Sequence, residues 1–267
     1  METKKLLNVT DLSAYLFCAR KFYLEKVKGL RQPLNKAMIE GSIRHKVLEE
    51  FSVHEESLVE SFGSVSKKEI VEKFLKLLEL VVKKVFSQNA ETIQKFGIDV
   101  KDLYKKIFDA MENDILLRGG SIDDAIRKGF TGKDLWANLE PKYISEMELI
   151  SEELGLKGRA DRVMIAEDSI VPFELKTRIV DKVWPSDEIQ LTCYGMMLEE
   201  KFGKKIPLGI LEAGNKKHEI VIDEKKKKEV VKLIGEVNEV LDGRNLRFPS
   251  SFGKCQSCPW KKECDEL

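Results

Sequence analysis

The sequence lacks the features of several protein classes. No apolar run approaches the roughly 18 residues of a membrane-spanning helix, and residues 1–10 contain no apolar stretch long enough for a signal peptide. Lys and Arg together number 46, as do Asp and Glu, so the formal net charge is zero and there is no basic excess of the kind found in proteins that coat nucleic acid. A chain of 267 residues with 42% hydrophobic residues can bury a sizeable core. We therefore expect a globular cytoplasmic protein in which any contact with nucleic acid depends on local features.

Cysteine is scarce and unevenly placed. Of the five cysteines, Cys18 and Cys193 stand alone, whereas Cys255, Cys258 and Cys264 lie within the last thirteen residues. Because a reducing cytosol disfavours disulfides, three clustered thiols predict a metal site. Cys18 lies on an aromatic-rich N-terminal helix and is the natural fourth ligand, and Cys193 is predicted to be a buried thiol. The spacing alone fits a structural zinc and a 4Fe-4S cluster equally well.

Hydrophobic periodicity divides the chain into helical and strand-forming regions. Apolar residues recur with the helical period over residues 66–119, which predicts a helical lobe, and the pattern changes to strands after residue 141. No internal repeat and no Walker A loop is present. The other predicted helices are 11–30, 35–53, 184–202 and 223–241, and the predicted strands are 143–150, 158–165, 170–177, 206–213 and 217–222.

Two carboxylates and a lysine form the most informative pattern. Glu174 and Lys176 are two residues apart on a predicted strand, so their side chains project from one face. If the strand that carries Asp161 pairs with this one, three charged groups converge. Two neighbouring carboxylates repel each other unless a cation lies between them, so the pattern indicates a divalent metal site. The alternative is a solvated strand face, which the apolar neighbours on this strand disfavour.

One histidine and a helical pair are further candidates. His45 follows Gly41 by four residues and is either a neutral metal ligand or a satisfied residue at the edge of the core. Gln190 and Tyr194 are four apart on a predicted helix and therefore share a face. The other histidines, His54 and His218, lie in polar surroundings and are predicted to be surface residues.

Taken in order, these motifs resemble those of a known family. The motifs are Cys18-Ala-Arg-Lys-Phe-Tyr-Leu, Gly41-x-x-x-His45, Gly158-Arg-Ala-Asp161, Glu174-Leu-Lys176, Gln190-x-x-x-Tyr194 and Cys255-x2-Cys258-x5-Cys264. They resemble the RecB-like iron-sulfur nucleases of the PD-(D/E)xK superfamily. Because the chain is short and has no helicase motor, it is most similar to the stand-alone CRISPR-associated protein 4 family. The resemblance spans residues 18–264, apart from a helical region of roughly 55–140 that is long for the family.

The resemblance implies a fold and a set of site residues. The implied fold is α/β, a restriction-endonuclease-like core with a mixed β-sheet flanked by helices, plus a helical lobe and an iron-sulfur region joining the N-terminal helix to the C-terminal tail. The implied ligands of Mn²⁺ or Mg²⁺ are His45, Asp161, Glu174 and the Leu175 carbonyl; Lys176 is the implied catalytic lysine, Gln190 and Tyr194 complete the site, and Cys18, Cys255, Cys258 and Cys264 hold a 4Fe-4S cluster. The expected regions are 1–54 (N-terminal helices), 55–140 (helical insertion), 141–242 (nuclease core) and 243–267 (cysteine tail).

The implied activity is a metal-dependent exonuclease acting on single-stranded DNA or on DNA ends with overhangs. Its expected setting is CRISPR adaptation, with trimming of new spacers before integration and the adaptation integrase proteins as candidate partners. A local basic excess on the first helix makes Arg20 and Lys21 candidate DNA contacts, together with Arg159. Two alternatives stay open at this stage: a RecB-like DNA-repair nuclease outside CRISPR, and a non-catalytic subunit that binds DNA ends.

Overall fold

The structure, a computed structural model, describes residues 6–176, 182–213, 216–244, 255–256 and 258–266. These residues form a mixed six-stranded sheet flanked by helices. The strands are β1 (Leu7–Asn8), β2 (Lys142–Ser151), β3 (Leu156–Ile165), β4 (Ile170–Lys176), β5 (Leu208–Ala213) and β6 (Lys216–Val221). The helices are α1 (Val9–Phe17), α2 (Ala19–Lys26), α3 (Lys36–Glu60), α4 (Lys67–Gln88), α5 (Ala90–Lys95), α6 (Val100–Arg127), α7 (Gly132–Asn138), α8 (Pro185–Phe202), α9 (Glu224–Leu241) and α10 (Lys261–Asp265).

Strand β3 organises the sheet. The antiparallel β2 follows one edge of β3 along its whole length. The other edge is shared, because β1 pairs in parallel with the start of β3 and β4 pairs antiparallel with residues 162–165. The sheet continues through the parallel β5 and the antiparallel β6. Among the described strands none pairs with residues 158–161 on the shared edge, and this gap lies where Asp161 stands.

Two hydrophobic clusters cover opposite sides of the sheet. One joins α3, α4 and α6 to β4 through residues such as Phe173 and Leu175. The other joins α1, α8 and α9 to β3 through residues such as Tyr194 and Ala160. Because side chains alternate along a strand, Leu175 packs toward the helical lobe while Glu174 points toward α8. The core thus fixes which way each residue of the Glu-x-Lys motif projects.

The prediction of one helix over 11–30 is wrong. The chain forms α1 and α2 instead, separated by Cys18 in an extended conformation with φ of −164° and ψ of 108°. The Cys18 sulfur accepts the backbone N–H of Lys21 at 3.5 Å and so caps α2. The apolar pattern hides the break because the rings of Tyr15 and Phe22 pack edge to face across it, with centroids 5.8 Å apart.

The other predicted elements match the structure, with shifts at their ends. The helical lobe extends beyond residue 119, since α6 continues to Arg127 and α7 follows. None of the described helices is both long and apolar enough to cross a lipid bilayer. The predicted turn at Gly214 and Asn215 and the end of the third predicted strand at Thr177 lie outside the described residues.

Candidate active site

Asp161 lies where β3 and β4 separate. The pairing of the two strands includes Arg162 with Phe173, and continuing that register would place Asp161 opposite Glu174. Instead, the Asp161 carboxylate accepts the backbone N–H of Leu175 through Oδ2 at 2.7 Å. The side chain of Asp161 is therefore held by the backbone of β4, the strand that carries Glu174 and Lys176. This contact confirms that the two predicted strands are neighbours.

Glu146 on β2 completes this group and was missed from the sequence. The pairs Ser145 with Arg162 and Met147 with Ala160 place Glu146 opposite Asp161. Glu146 has a φ of 54°, a left-handed conformation that costs a non-glycine residue free energy.

The side chains of β3 reverse direction at Asp161. Ala160 packs in the cluster beneath α8, whereas Arg162, two residues later, contacts Asp114 of α6 at 2.6 Å. Residues two apart normally face the same side of a sheet. Glu146 and Asp161 line the cleft of the candidate site and belong to neither hydrophobic cluster.

His45, Glu146 and Asp161 form a candidate metal centre. His45 Nδ1 lies 2.7 Å from Glu146 Oε1 and 3.6 Å from Asp161 Oδ1. One ligand atom from each residue lies within 4.8 Å of the others, and within the described part of the chain no other three His, Cys, Asp or Glu residues come so close. The hydrogen bond to Glu146 outweighs burial and raises the pKa of His45. An imidazole and two carboxylates are donors that suit Mn²⁺, and carboxylates also suit Mg²⁺.

Glu174 lies beside this centre with both oxygens engaged. Oε1 accepts from Lys176 Nζ at 2.8 Å, and Oε2 accepts from Gln190 Nε2 at 2.5 Å. Burial and the neighbouring Asp161 carboxylate raise the pKa of Glu174 to about 7. Burial also raises the pKa of Asp161. Two buried carboxylates so close together do not readily ionise at the same time. A divalent cation bound between them would stabilise the ionised form of both.

Lys176 is held by two acids. Besides Glu174, its Nζ pairs with Asp187 Oδ1 of α8 at 3.1 Å. Burial would lower the pKa of Lys176, but these two carboxylates outweigh it and its pKa is raised. The ammonium is therefore charged, and an ammonium here can stabilise negative charge developing on a phosphate oxygen.

Tyr194 closes the floor of the site. Its hydroxyl donates to the Arg159 carbonyl at 2.8 Å, and its ring packs against Gly158, where an added Cβ would lie 2.9 Å from a ring carbon. The cleft above has a volume of about 650 Å³. It is lined by Asn8, Val9, Thr10, Ser42, His45, Lys46, Glu49, Glu146, Gly158, Arg159, Asp161, Glu174, Gln190 and Tyr194. Six of the predicted site residues thus share one cleft: His45, Arg159, Asp161, Glu174, Gln190 and Tyr194.

Comparison with known proteins identifies the family. A profile of the family described as "PD-(D/E)XK nuclease superfamily" matches residues 6–265. The chain belongs to this superfamily. Membership confirms the predicted nuclease class and the mixed sheet with flanking helices, and PD-(D/E)XK nucleases use divalent metal ions, which the donor set described above suits.

Two curated relatives of this PD-(D/E)XK nuclease are each described as "CRISPR-associated exonuclease Cas4/endonuclease Cas1 fusion". The one from Leptospira interrogans is 28% identical over 150 residues, which are 51% of this chain and 28% of the relative. The one from Myxococcus xanthus is 37% identical over 81 residues, which are 27% of this chain and 14% of the relative. The chain therefore matches less than a third of the length of either relative. A solved structure described as "Crystal structure of SSO0001" shares 19% identity and a TM-score of 0.31, covering 84% of this chain and 94% of that one.

The three predicted DNA contacts of the nuclease divide between two places. Arg159 lies in the cleft, half exposed, with its Nε 2.7 Å from Glu146 Oε2. Arg20 and Lys21 lie on α2 and are not among the residues that line the cleft. The Nη1 of Arg20 lies 3.6 Å from the sulfur of Cys264 instead. Only Arg159 therefore stands where a bound strand would meet the proposed metal centre.

The two ends of the chain meet at α2. In addition to the contact between Arg20 and Cys264, Trp260 donates its indole N–H to Glu25 at 2.9 Å. No three cysteine sulfurs of the described residues lie within 4.8 Å of one another. Cys193 is fully buried, which confirms that prediction, and burial raises its pKa to about 12. Of the two histidines that were predicted to lie at the surface, His54 is exposed and His218 is half-buried.

Proposed function

We propose that this PD-(D/E)XK nuclease is a divalent-metal-dependent deoxyribonuclease that trims single-stranded DNA or DNA ends with overhangs during CRISPR adaptation. The observation that carries the proposal is the meeting of His45, Glu146, Asp161 and Glu174 in one cleft, with Lys176 paired to Glu174. The names of the curated relatives, an exonuclease fused to an endonuclease, support the setting and make an integrase of that kind the expected partner.

The proposed ligands of Mn²⁺ or Mg²⁺ are His45, Asp161, Glu174 and the Leu175 carbonyl, joined by Glu146. A divalent cation bound there supplies a Lewis acid for the phosphodiester and for the attacking water. The ammonium of Lys176 donates to Glu174 and pairs with Asp187, and with three N–H groups it can also donate to a phosphate oxygen as negative charge develops on it.

Gln190 and Tyr194 act on the groups that touch substrate. Gln190 fixes the orientation of Glu174 through its 2.5 Å hydrogen bond. Tyr194 holds the backbone of β3 at Arg159, whose side chain reaches the cleft. These contacts keep the carboxylates in place before DNA binds, which lowers the cost of assembling the site.

The charges of the cleft favour a DNA end over a long duplex. Lys46 and Arg159 are the two lysine or arginine residues among its lining residues. Proteins that track duplex DNA neutralise many phosphates with rows of such residues. Two basic side chains and a metal suit the few phosphates near one terminus, which supports an exonuclease acting on a single strand.

Degradation of end-labelled single-stranded DNA in the presence of Mn²⁺ tests the proposal. We expect the parent protein to shorten the labelled DNA. Lys176→Ala and Asp161→Ala should each lower the rate of DNA degradation about 100-fold or more. His45→Ala should also be impaired, whereas His54→Ala, a change to an exposed histidine on the same helix, is the matched control.

Two results would contradict the proposal. Lys176→Ala and Asp161→Ala variants as active as the parent would show that the catalytic assignment is wrong. A parent that binds DNA ends tightly without degrading them would identify the non-catalytic end-binding subunit instead. A blunt duplex and the same duplex with a single-stranded overhang, compared side by side, measure the substrate preference.

We also propose that Cys18, Cys255, Cys258 and Cys264 hold a structural 4Fe-4S cluster. Four thiols are the donor set that such a cluster requires, and the packing of α10 on α2 brings the two ends of the chain together. The cluster would clamp the termini rather than take part in the chemistry. Anaerobically purified protein should be brown and contain iron and acid-labile sulfide; a colourless protein with zinc alone would establish the zinc alternative.

A further inference from the structure

Asp187 of α8 belongs to none of the motifs, yet it contacts the lysine that we place at the reaction. We infer that Asp187 is a positioning residue that anchors the ammonium of Lys176 against α8 for the nuclease reaction. The inference rests on the proposed function, because it assigns a role relative to the catalytic lysine.

The geometry directs Asp187 to Lys176. Its Oδ1 lies 3.1 Å from Lys176 Nζ, and its side chain is 9% exposed. A carboxylate this deeply buried costs free energy unless a cation or hydrogen-bond donors compensate it. Its place in the first turn of the 18-residue α8 adds the favourable end of the helix dipole.

One turn of α8 holds both side chains of the Glu-x-Lys motif. Asp187 and Gln190 are three residues apart and therefore share a helix face. Gln190 donates to Glu174 at 2.5 Å, and the carboxylate of Asp187 forms an ion pair with Lys176 at 3.1 Å. The helix thus fixes Glu174 and Lys176 separately, each with a partner of its own.

Glu174 alone cannot anchor Lys176 while Glu174 is bound to a metal ion. One of its oxygens accepts from Lys176 and the other from Gln190. When a carboxylate shares its charge with a divalent cation, its attraction for a neighbouring ammonium weakens. Asp187 lies outside the proposed ligand set, so its charge stays available to Lys176 in the metal-loaded protein.

The neighbouring acid on α8 supplies a matched control. Glu188 also lies in the first turn, but its carboxylate pairs with Lys226 of α9 at 3.7 Å. Glu188→Gln therefore removes the same charge from the same turn without touching Lys176. Asp187→Asn removes the anchoring charge with almost no change in shape, and Asp187→Glu restores the charge on a longer side chain.

The first measurement tests the contact between Asp187 and Lys176 and does not require nuclease activity. Each protein is pulsed with acetic anhydride, with and without Mn²⁺, and the acetylation of each lysine is quantified by mass spectrometry. We expect Lys176 to lose protection in Asp187→Asn, and to keep it in the parent and in Glu188→Gln. Unchanged protection of Lys176 in Asp187→Asn would overturn the inference, and the remaining lysines report whether the variant is folded.

The second measurement is steady-state degradation of single-stranded DNA with Mn²⁺. We expect Asp187→Asn to lose about 10- to 100-fold in kcat at unchanged KM, since partners that orient a reacting group have effects of this size. Asp187→Glu should recover part of that loss, and Glu188→Gln should match the parent. A parental kcat in Asp187→Asn, or a loss confined to KM, would overturn the positioning role. If the parent and Glu188→Gln both leave DNA intact while Lys176 loses protection in Asp187→Asn, the proposed function fails and the anchor stands.

Discussion

Glu174 makes the stability of the metal-free protein depend on pH. Burial and the Asp161 carboxylate raise its pKa from 4.5 to about 7, a value that already includes the opposing ion pair with Lys176. Between these pH values the folded protein keeps a proton that the unfolded chain has lost, so the free energy of unfolding falls as pH rises and levels off above about 7. At about 1.4 kcal/mol per pH unit, the loss due to Glu174 is about 3 kcal/mol.

Urea unfolding followed by tryptophan fluorescence in EDTA, between about pH 5 and about pH 8, measures this loss. We expect Glu174→Gln to be more stable than the parent at the upper end by as much as about 3 kcal/mol, and the two proteins to converge toward the lower end. Glu148→Gln, which neutralises an exposed carboxylate on β2, is the control and should follow the parent. Equal pH dependence in Glu174→Gln and the parent would refute the reasoning.

Three further variants test other parts of the structure. Gly158→Ala should lose about 1–3 kcal/mol of stability, because its Cβ would lie 2.9 Å from the Tyr194 ring, and an unchanged unfolding midpoint would contradict that packing. Glu146→Gln should bind Mn²⁺ about tenfold or more weakly in calorimetry, whereas parental affinity would remove Glu146 from the ligand set. Cys255→Ala should lose the bound iron and Cys193→Ala should retain it; equal iron content in both would contradict the proposed cluster ligands.

Much of the fold follows from the sequence because its elements are long and strongly patterned. Alternating residues predict β2 and β3 to within two positions at each end, and the helical period predicts α8 and α9 equally closely. The break at Cys18 could not be predicted, since a cysteine that caps a helix resembles one inside it. The two-residue β1 is too short for any periodic pattern to appear.

The site was predictable wherever residues form a motif along the chain, and not where the fold alone brings them together. His45 and Asp161 belong to such motifs, and both line the cleft, with His45 Nδ1 3.6 Å from Asp161 Oδ1. Glu146 was missed because it belongs to an alternating strand, and because its left-handed backbone conformation is one that usually marks a glycine. The two motif glycines differ in what the structure requires of them. A side chain at Gly158 would collide with the ring of Tyr194, whereas a Cβ at Gly41 would meet open space.

The charge of the cleft links the metal to DNA binding. Four carboxylates and two basic residues line it, so its formal charge is negative by two at a pH where all four carboxylates are ionised and His45 is neutral. The charged residues are Glu49, Glu146, Asp161, Glu174, Lys46 and Arg159. An empty cleft of this charge repels phosphate, and one divalent cation cancels the excess. We therefore expect the affinity for single-stranded DNA to be higher in Ca²⁺, which carboxylates also bind, than in EDTA at the same ionic strength. Equal affinity under both conditions would show that DNA is held elsewhere, for which the basic residues of α2 are the remaining candidates.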